Sequence, residues 1–342
     1  MLDILSDETL PHPYLECCFT VQEEIGLYGA MALKPEYFKG RRLINLDGAG
    51  EYRTYTTLAG ASTLTVEKDL PMAPANGNAY TLTVSGLLGG RSGDDISKER
   101  ANGYDFRFAG FTAAGKKSGI ASEAQVTFVS SASREQLSTV VDAVAKAVAE
   151  EYEFSDPDIV LSLQDGQAAA AAGAKESLEA AELLYLLPYG VFARFLPLDG
   201  LPSFSTNISQ VQLENGVLTI TYSARSPFES YMGEAEAAVE ILCQRLDARI
   251  AGKRDYYGYR YLKDSPLRDT MDKVFLEQYG KPLNHVAAHG GNECGAFKHM
   301  FPDMDIVTTG AIYAKHHTPE EYLDLESFDR SIAFLKAFLR AL

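Results

Sequence analysis

The sequence predicts an α/β domain interrupted by an inserted α+β domain. Three observations carry that expectation. Short, largely apolar runs lie towards both ends of the chain, at 15–21 (LECCFTV), 42–47 (RLINLD), 283–288 and 304–308, and such runs suit sheets covered on both faces. The middle of the chain instead alternates Thr with Tyr, Leu and Val, as strands with one wet face do. Two amphipathic helical patterns punctuate those alternating strands. The α/β part is therefore expected at 1–54 and 252–342, and the α+β part at 55–251.

Taken in order, residues 2–10 read as the end of a helix, stopped by Pro11 and Pro13. The apolar run 15–21 follows at once. A buried strand so near the start needs neighbours on both sides, which predicts further sequence upstream. Residues 25–40 hold a short helix and a loop at Lys39 and Gly40. Strands are expected at 52–66, 80–87 and 124–130, with a loop at 69–78. Residues 133–136 (SREQ) form a capping box opening a helix with Leu137, Val140, Val141, Val144 and Val148 on one face. Residues 166–182, rich in Ala and Glu, read as helical. Asn215 and Gly216 between alternating runs signal a type I′ hairpin over 211–224. A helix follows with Met232, Ala235, Val239, Leu242, Leu246 and Ile250 inward, closed by Gly252. Ser265 and Pro266 start another, with Leu267, Met271, Val274 and Phe275 inward and Gly280 at its end. The last helix is expected to bury Phe328, Ile332, Leu335 and Leu339. No repeat of solenoid period is visible.

Composition excludes several functions. Asp plus Glu is 47 against 31 Lys plus Arg, a formal charge of -16, so phosphate backbones repel the chain and no nucleic-acid partner is expected. With 46% hydrophobic and 23% charged residues the chain is not globally disordered. No apolar run approaches the roughly 20 residues that span a bilayer, so no membrane partner is expected. The start lacks a signal-peptide layout. Cys17, Cys18, Cys243 and Cys294 lack metal-finger spacing and read as reduced thiols in a cytoplasmic protein.

The groups able to do chemistry lie where strands end. Glu23 and Glu24 follow the run 15–21, and loops at the C-terminal ends of α/β strands are where sites form. Adjacent side chains diverge, so one carboxylate can hold a cation while the other takes a proton from water. Alone, such a pair in an acidic chain is a solvated turn. Asp47 ends the next apolar run and is otherwise a turn former. His316 and His317 follow another short run, and a loop histidine there can ligate zinc or simply face water. His289 and Glu293 lie in the glycine-rich turn HGGNECG, which brings groups to a ligand or just turns tightly into a helix. Arg91 sits in GGRSG, either a flexible loop or a ligand contact. Arg225, on the second hairpin strand, can clamp a carboxylate through its fork or remain solvated.

Together, FTVQEEIGLYGA, LINLD, GGRSGDDI, the hairpin ending YSARS, HGGNECG and HHTPEE occur in an order and spacing that resembles the aminoacyl-histidine dipeptidases (Xaa-His dipeptidases) of the M20 metallopeptidase family. The resemblance covers essentially the whole chain. It implies a catalytic domain with a mixed sheet and helices on both faces, split in sequence and N-terminally truncated, plus an inserted α+β lid. It implies Glu23 as the catalytic carboxylate, and Glu24, Asp47 and His317 as metal ligands. It places Arg91, Arg225, His289 and Glu293 around a dipeptide substrate. It implies two zinc ions per complete site, which lower the pKa of the attacking water and polarise the peptide carbonyl. It also implies either a homodimer through the lid or lid contacts within one chain.

Two departures from that pattern bear on activity. The family's His-x-Asp motif and bridging aspartate are not found in this sequence, whose only histidine before position 285 is His12. One zinc or none is therefore expected in this chain. Arg91 stands where the family usually has a histidine that stabilises the oxyanion, and a guanidinium offers charge and donors but not a neutral imidazole. Two readings follow: a zinc dipeptidase, or a catalytically dead relative or fragment that binds peptides or a partner. Hydrolysis of another amide by the same site is a third.

Overall fold

The computed structural model describes residues 2–23, 26–48, 50–85, 106–114, 119–195, 201–314 and 320–342. The chain opens with helices α1 (Leu2–Leu5) and α2 (Tyr28–Met31), then strands β1 (Arg42–Asn45), β2 (Arg53–Leu58), β3 (Gly60–Asp69), β4 (Met72–Pro74), β5 (Asn78–Ser85), β6 (Arg107–Ala114) and β7 (Glu123–Ser130). It continues through α3 (Arg134–Glu151), β8 (Val160–Asp165), β9 (Ala170–Ala172), α4 (Ala174–Leu186), β10 (Gly190–Phe195), β11 (Leu201–Glu214), β12 (Val217–Ser226), α5 (Glu229–Arg245) and β13 (Arg249–Tyr256). It closes with α6 (Pro266–Tyr279), β14 (Asn284–Ala288), α7 (Cys294–Met300), β15 (Asp305–Thr308), β16 (Tyr313–Ala314), β17 (Tyr322–Leu323) and α8 (Leu325–Arg340).

The α/β part is built on parallel pairs, β1 with β15 and β2 with β14. The two pairs meet through threonine hydroxyls. Tyr55 N donates to Thr308 Oγ1 at 2.7 Å, and Thr308 N donates to Thr54 Oγ1 at 3.1 Å. Side chains thus satisfy main-chain donors that a continuous ladder would otherwise take up. Helices α6 and α8 cover this layer with Leu267, Met271, Phe275, Phe334 and Phe338 around Val307. Ile4 and Leu10 from the start of the chain pack on Leu335 and Leu339. Each such side chain contributes about 1.5–3 kcal/mol when fully buried.

The rest is a nine-stranded antiparallel sheet in the order β13-β3-β12-β11-β6-β7-β5-β8, with β10 on β11. One face of its centre, Leu64, Val66, Leu218, Ile220 and Tyr222, packs against Leu183 of α4 and Val239 of α5. The hairpin turns at Asn215 and Gly216, both with positive φ (51° and 75°), as a type I′ turn requires. The capping box forms: Gln136 N donates to Ser133 Oγ and Ser133 N to Gln136 Oε1. Gly280 ends α6 in the left-handed region. Among the described residues no helix is long and apolar enough to cross a membrane.

Four local expectations fail for identifiable reasons. Residues 15–21 form no strand, and Phe19 is 80% exposed. Glu16 instead accepts from the amides of Lys39 and Gly40, which fastens the segment by a side chain rather than by a ladder. Residues 170–172 pair with β4 as β9, and the alanine-rich helix begins only at Ala174. Helix α5 ends at Arg245, and Ile250 and Gly252 belong to β13. Phe328 is exposed on α8, whereas Phe334 and Phe338 are buried.

Lys68 is 1% exposed within the large sheet. Its ammonium donates to Glu179 Oε2 at 2.8 Å and to the Leu246 carbonyl at 2.6 Å. The hydrogen bond from Lys68 holds the Glu179 carboxyl below its ordinary value. A depressed folded pKa means that the pair's stabilisation is complete above the unfolded carboxyl's value and is lost as pH falls through the folded one. Glu179→Ala is expected to cost about 3 kcal/mol, because the lysine charge stays buried with one carbonyl partner. A urea midpoint unchanged from wild type would refute this.

Candidate active site

Asp47 follows β1, and the 289–293 turn follows β14, so both reach the carboxyl ends of parallel strands. Glu23 is brought in by a tight loop in which its own carbonyl accepts from Gly26 N (3.1 Å) and Leu27 N (3.0 Å). Gln22 and Leu27 flank it with φ near 59° and 58°, a region non-glycine residues rarely adopt. The loop is thus held in an uncommon backbone conformation, as functional turns often are.

Carboxylate oxygens of Glu23, Asp47 and Glu293 lie within 4.8 Å of one another. Glu23 and Glu293 are half-buried and Asp47 is exposed. Like charges at this range repel by about 1 kcal/mol per pair even in water. Glu293 Oε1 accepts from the Thr20 hydroxyl at 3.1 Å, while Oε2 is buried with no hydrogen-bond partner among the described residues. Asn292 braces the turn: its Oδ1 accepts from Cys294 N at 3.0 Å and its Nδ2 donates to the Asp47 carbonyl at 3.4 Å. Gly295 must lack a side chain, since a Cβ there would overlap the Tyr257 carbonyl. The Tyr313 hydroxyl is 3.2 Å from Asp47 Oδ1 and 3.3 Å from the Gly48 carbonyl. Burial, and then the charge of Asp47, push the phenol far above its ordinary pKa, so it stays protonated and donates. Cys294 is fully buried and its thiol is pushed well up by burial, which makes it core rather than nucleophile.

A second cluster joins the large sheet to the same turn. His289 Nε2 is 2.6 Å from Ser205 Oγ on β11. Arg225 Nη1, on β12 directly opposite Ser205, donates to the Tyr256 hydroxyl at 2.9 Å and to the His289 carbonyl at 3.3 Å. Asn207, two residues beyond Ser205 on the same face, buries an Oδ1 without a partner among the described residues.

Of the residues singled out from sequence, Glu23, Asp47 and Glu293 converge, and Arg225 and His289 meet beside them in chain order. Glu24, Arg91 and His317 lie outside the described residues. Sequence reasoning missed Tyr313, Asn292, Ser205, Asn207 and Tyr256. Only Asn292 left a local signal, an Asn beginning a turn into a helix.

The carboxylates thus gather at the carboxyl ends of the parallel strands, and the turn that carries one of them is tied through His289 to Ser205 and Arg225 of the antiparallel sheet, in a chain whose family is one of metal-dependent peptidases. The chain belongs to peptidase family M20/M25/M40, which it matches over residues 2–341. It is 26% identical to the cytosol non-specific dipeptidase of Escherichia coli (strain K12), over 99% of this chain and 74% of that protein. Its fold resembles the crystal structure of aminoacylhistidine dipeptidase from Vibrio alginolyticus, with a TM-score of 0.86 and 24% identity over 100% of this chain and 73% of that one. A tripeptidase from Staphylococcus aureus is more distant, with a TM-score of 0.55 and 13% identity over 99% of this chain and 67% of that one.

Proposed function

We propose that the protein is a zinc-dependent dipeptidase of the cytoplasm that hydrolyses Xaa-His or similar dipeptides. The observation that carries this is the convergence of Glu23, Asp47 and Glu293, the last of which has a buried carboxylate oxygen with no hydrogen-bond partner among the described residues. Three carboxylates gathered this closely fit a divalent cation, which relieves their mutual repulsion and gives the orphaned oxygen a partner. Asp47 would hold one ion there, and Glu24 with His317 the other ion of a complete site, as the family resemblance implies. When bound, such an ion acidifies water and polarises the scissile carbonyl.

The chain's own residues supply the rest. Glu23, within 4.8 Å of the other carboxylates, takes the proton of the attacking water and returns it to the leaving amine. Arg225 spends Nη1 on Tyr256 and His289, which orients the guanidinium and leaves its other nitrogens to a substrate carboxylate. Asn207 offers an unsatisfied amide oxygen from the same sheet. The names of the Escherichia coli and Vibrio alginolyticus relatives, a dipeptidase and an aminoacylhistidine dipeptidase, support a dipeptide substrate.

The test is zinc content by mass spectrometry after dialysis, together with a hydrolysis panel of Xaa-His dipeptides and their non-histidine counterparts. Zinc retained with dipeptide cleavage supports the proposal. A chain that retains no zinc and cleaves none of the panel overturns it.

A further inference from the structure

We propose that Ser205 is a positioning residue for the dipeptide site, holding the His289 ring in one orientation. This deepens the proposed function and rests on its dipeptide reading, in which the family resemblance puts His289 beside the substrate. The two residues are 84 positions apart and come from different layers of the fold. Ser205 Oγ lies 2.6 Å from His289 Nε2, within hydrogen-bonding distance. Ser205 is buried, so water hardly competes for its hydroxyl.

Ser205 belongs to a row of residues that lie directly opposite one another across four strands: Ser205 on β11, Arg225 on β12, Ala61 on β3 and Tyr256 on β13. Residues in such a row share one face of the sheet. Three of the four meet the turn that begins at His289. Ser205 bonds the ring, and Arg225 Nη1 donates to the His289 carbonyl at 3.3 Å. The Tyr256 ring lies so close to Gly291 that a Cβ there would overlap it. Ala61 is small enough for Arg225 and Tyr256 to meet over it, with Nη1 donating to the hydroxyl at 2.9 Å. Arg225 and Tyr256 thus hold the backbone of the turn, which leaves the bond from Ser205 to orient the side chain. The hydrogen bond at one ring nitrogen of a histidine decides the protonation of the other. Ser205 therefore sets both the angle of the ring and its tautomer.

The test begins without substrate. The chain has six histidines, so 15N spectra of the imidazoles, with His289→Gln to assign the signal, report which nitrogen of His289 carries the proton. Wild type is expected to show one dominant tautomer and Ser205→Ala a mixture. Ser205→Thr, which keeps a hydroxyl on a side chain suited to a strand, is expected to restore the wild-type pattern. On metal-loaded protein, Ser205→Ala is expected to lower kcat/KM for a dipeptide by about three- to tenfold, the size of one hydrogen bond, and Ser205→Thr to recover most of that loss. In a His289→Gln background Ser205→Ala is expected to cost nothing further, because its effect runs through that ring. Melting temperatures establish that each variant folds, and Ser205→Cys, a weaker hydrogen-bond partner, takes the place of Ser205→Ala if that variant does not. A His289 signal or a kcat/KM that loss of the hydroxyl leaves unchanged overturns the inference while the proposed dipeptidase stands. So does an equal loss with and without the His289 ring. Wild-type protein that cleaves no dipeptide overturns both.

Discussion

Replacing Glu23 with Gln is expected to lower kcat for dipeptide cleavage by about 10²–10⁴-fold while metal content stays at the wild-type level. The magnitude is that of removing a positioned general base. The isosteric amide keeps the loop, whose main-chain bonds at the Glu23 carbonyl do not involve the side chain. The reading is a single-turnover rate on metal-loaded protein, so that slow product release does not mask the chemical step. A variant that cleaves at more than a tenth of the wild-type rate removes Glu23 from the mechanism. One that loses its metal instead would make Glu23 a ligand.

Arg225→Met has the second largest expected effect. Charge-assisted hydrogen bonds contribute about 1.5–3 kcal/mol, so loss of a carboxylate anchor should reduce kcat/KM by roughly 10- to 10²-fold. The diagnostic comparison is between a dipeptide and its C-terminal amide. Wild type should prefer the free carboxylate, and the variant should treat the two alike. A preference that survives in Arg225→Met would show that Arg225 holds the His289 turn in place and does not touch the substrate.

Much of the fold was legible because its signals are local. The capping box at 133–136, the Asn215 and Gly216 turn and the Gly280 stop each depend on neighbours a few residues away. Residues 15–21 misled because an apolar run does not say what will lie beside it. Here Glu16 met two amides near position 40 instead of a strand. Alanine in 166–173 favoured a helix by propensity, yet the pairing of β9 with β4 prevailed. The site divides in the same way. Asp47 could be read from its place after an apolar strand, and Glu293 from its glycine-rich turn. That Glu293 approaches Glu23, and that Tyr313 reaches Asp47 across 266 positions, are products of tertiary structure that no spacing rule conveys. The histidine-bound Ser205 is legible only once β11 is laid against the turn after β14.

The chain crosses twice between the parallel layer and the large sheet, and the two crossings are joined side by side. Leu58 and Tyr259 exchange both main-chain hydrogen bonds at 2.9 Å, just where β2 leads into β3 and where the chain returns after β13. Beyond them Gly60 and Gly258 lie backbone against backbone, and β3 and β13 stay paired as far as Ala61 and Tyr256. Two tethers laced together act as a double-stitched seam. Twisting or sliding there would shear the paired bonds, so the seam sets the register in which Arg225 and Ser205 of the large sheet meet the His289 turn.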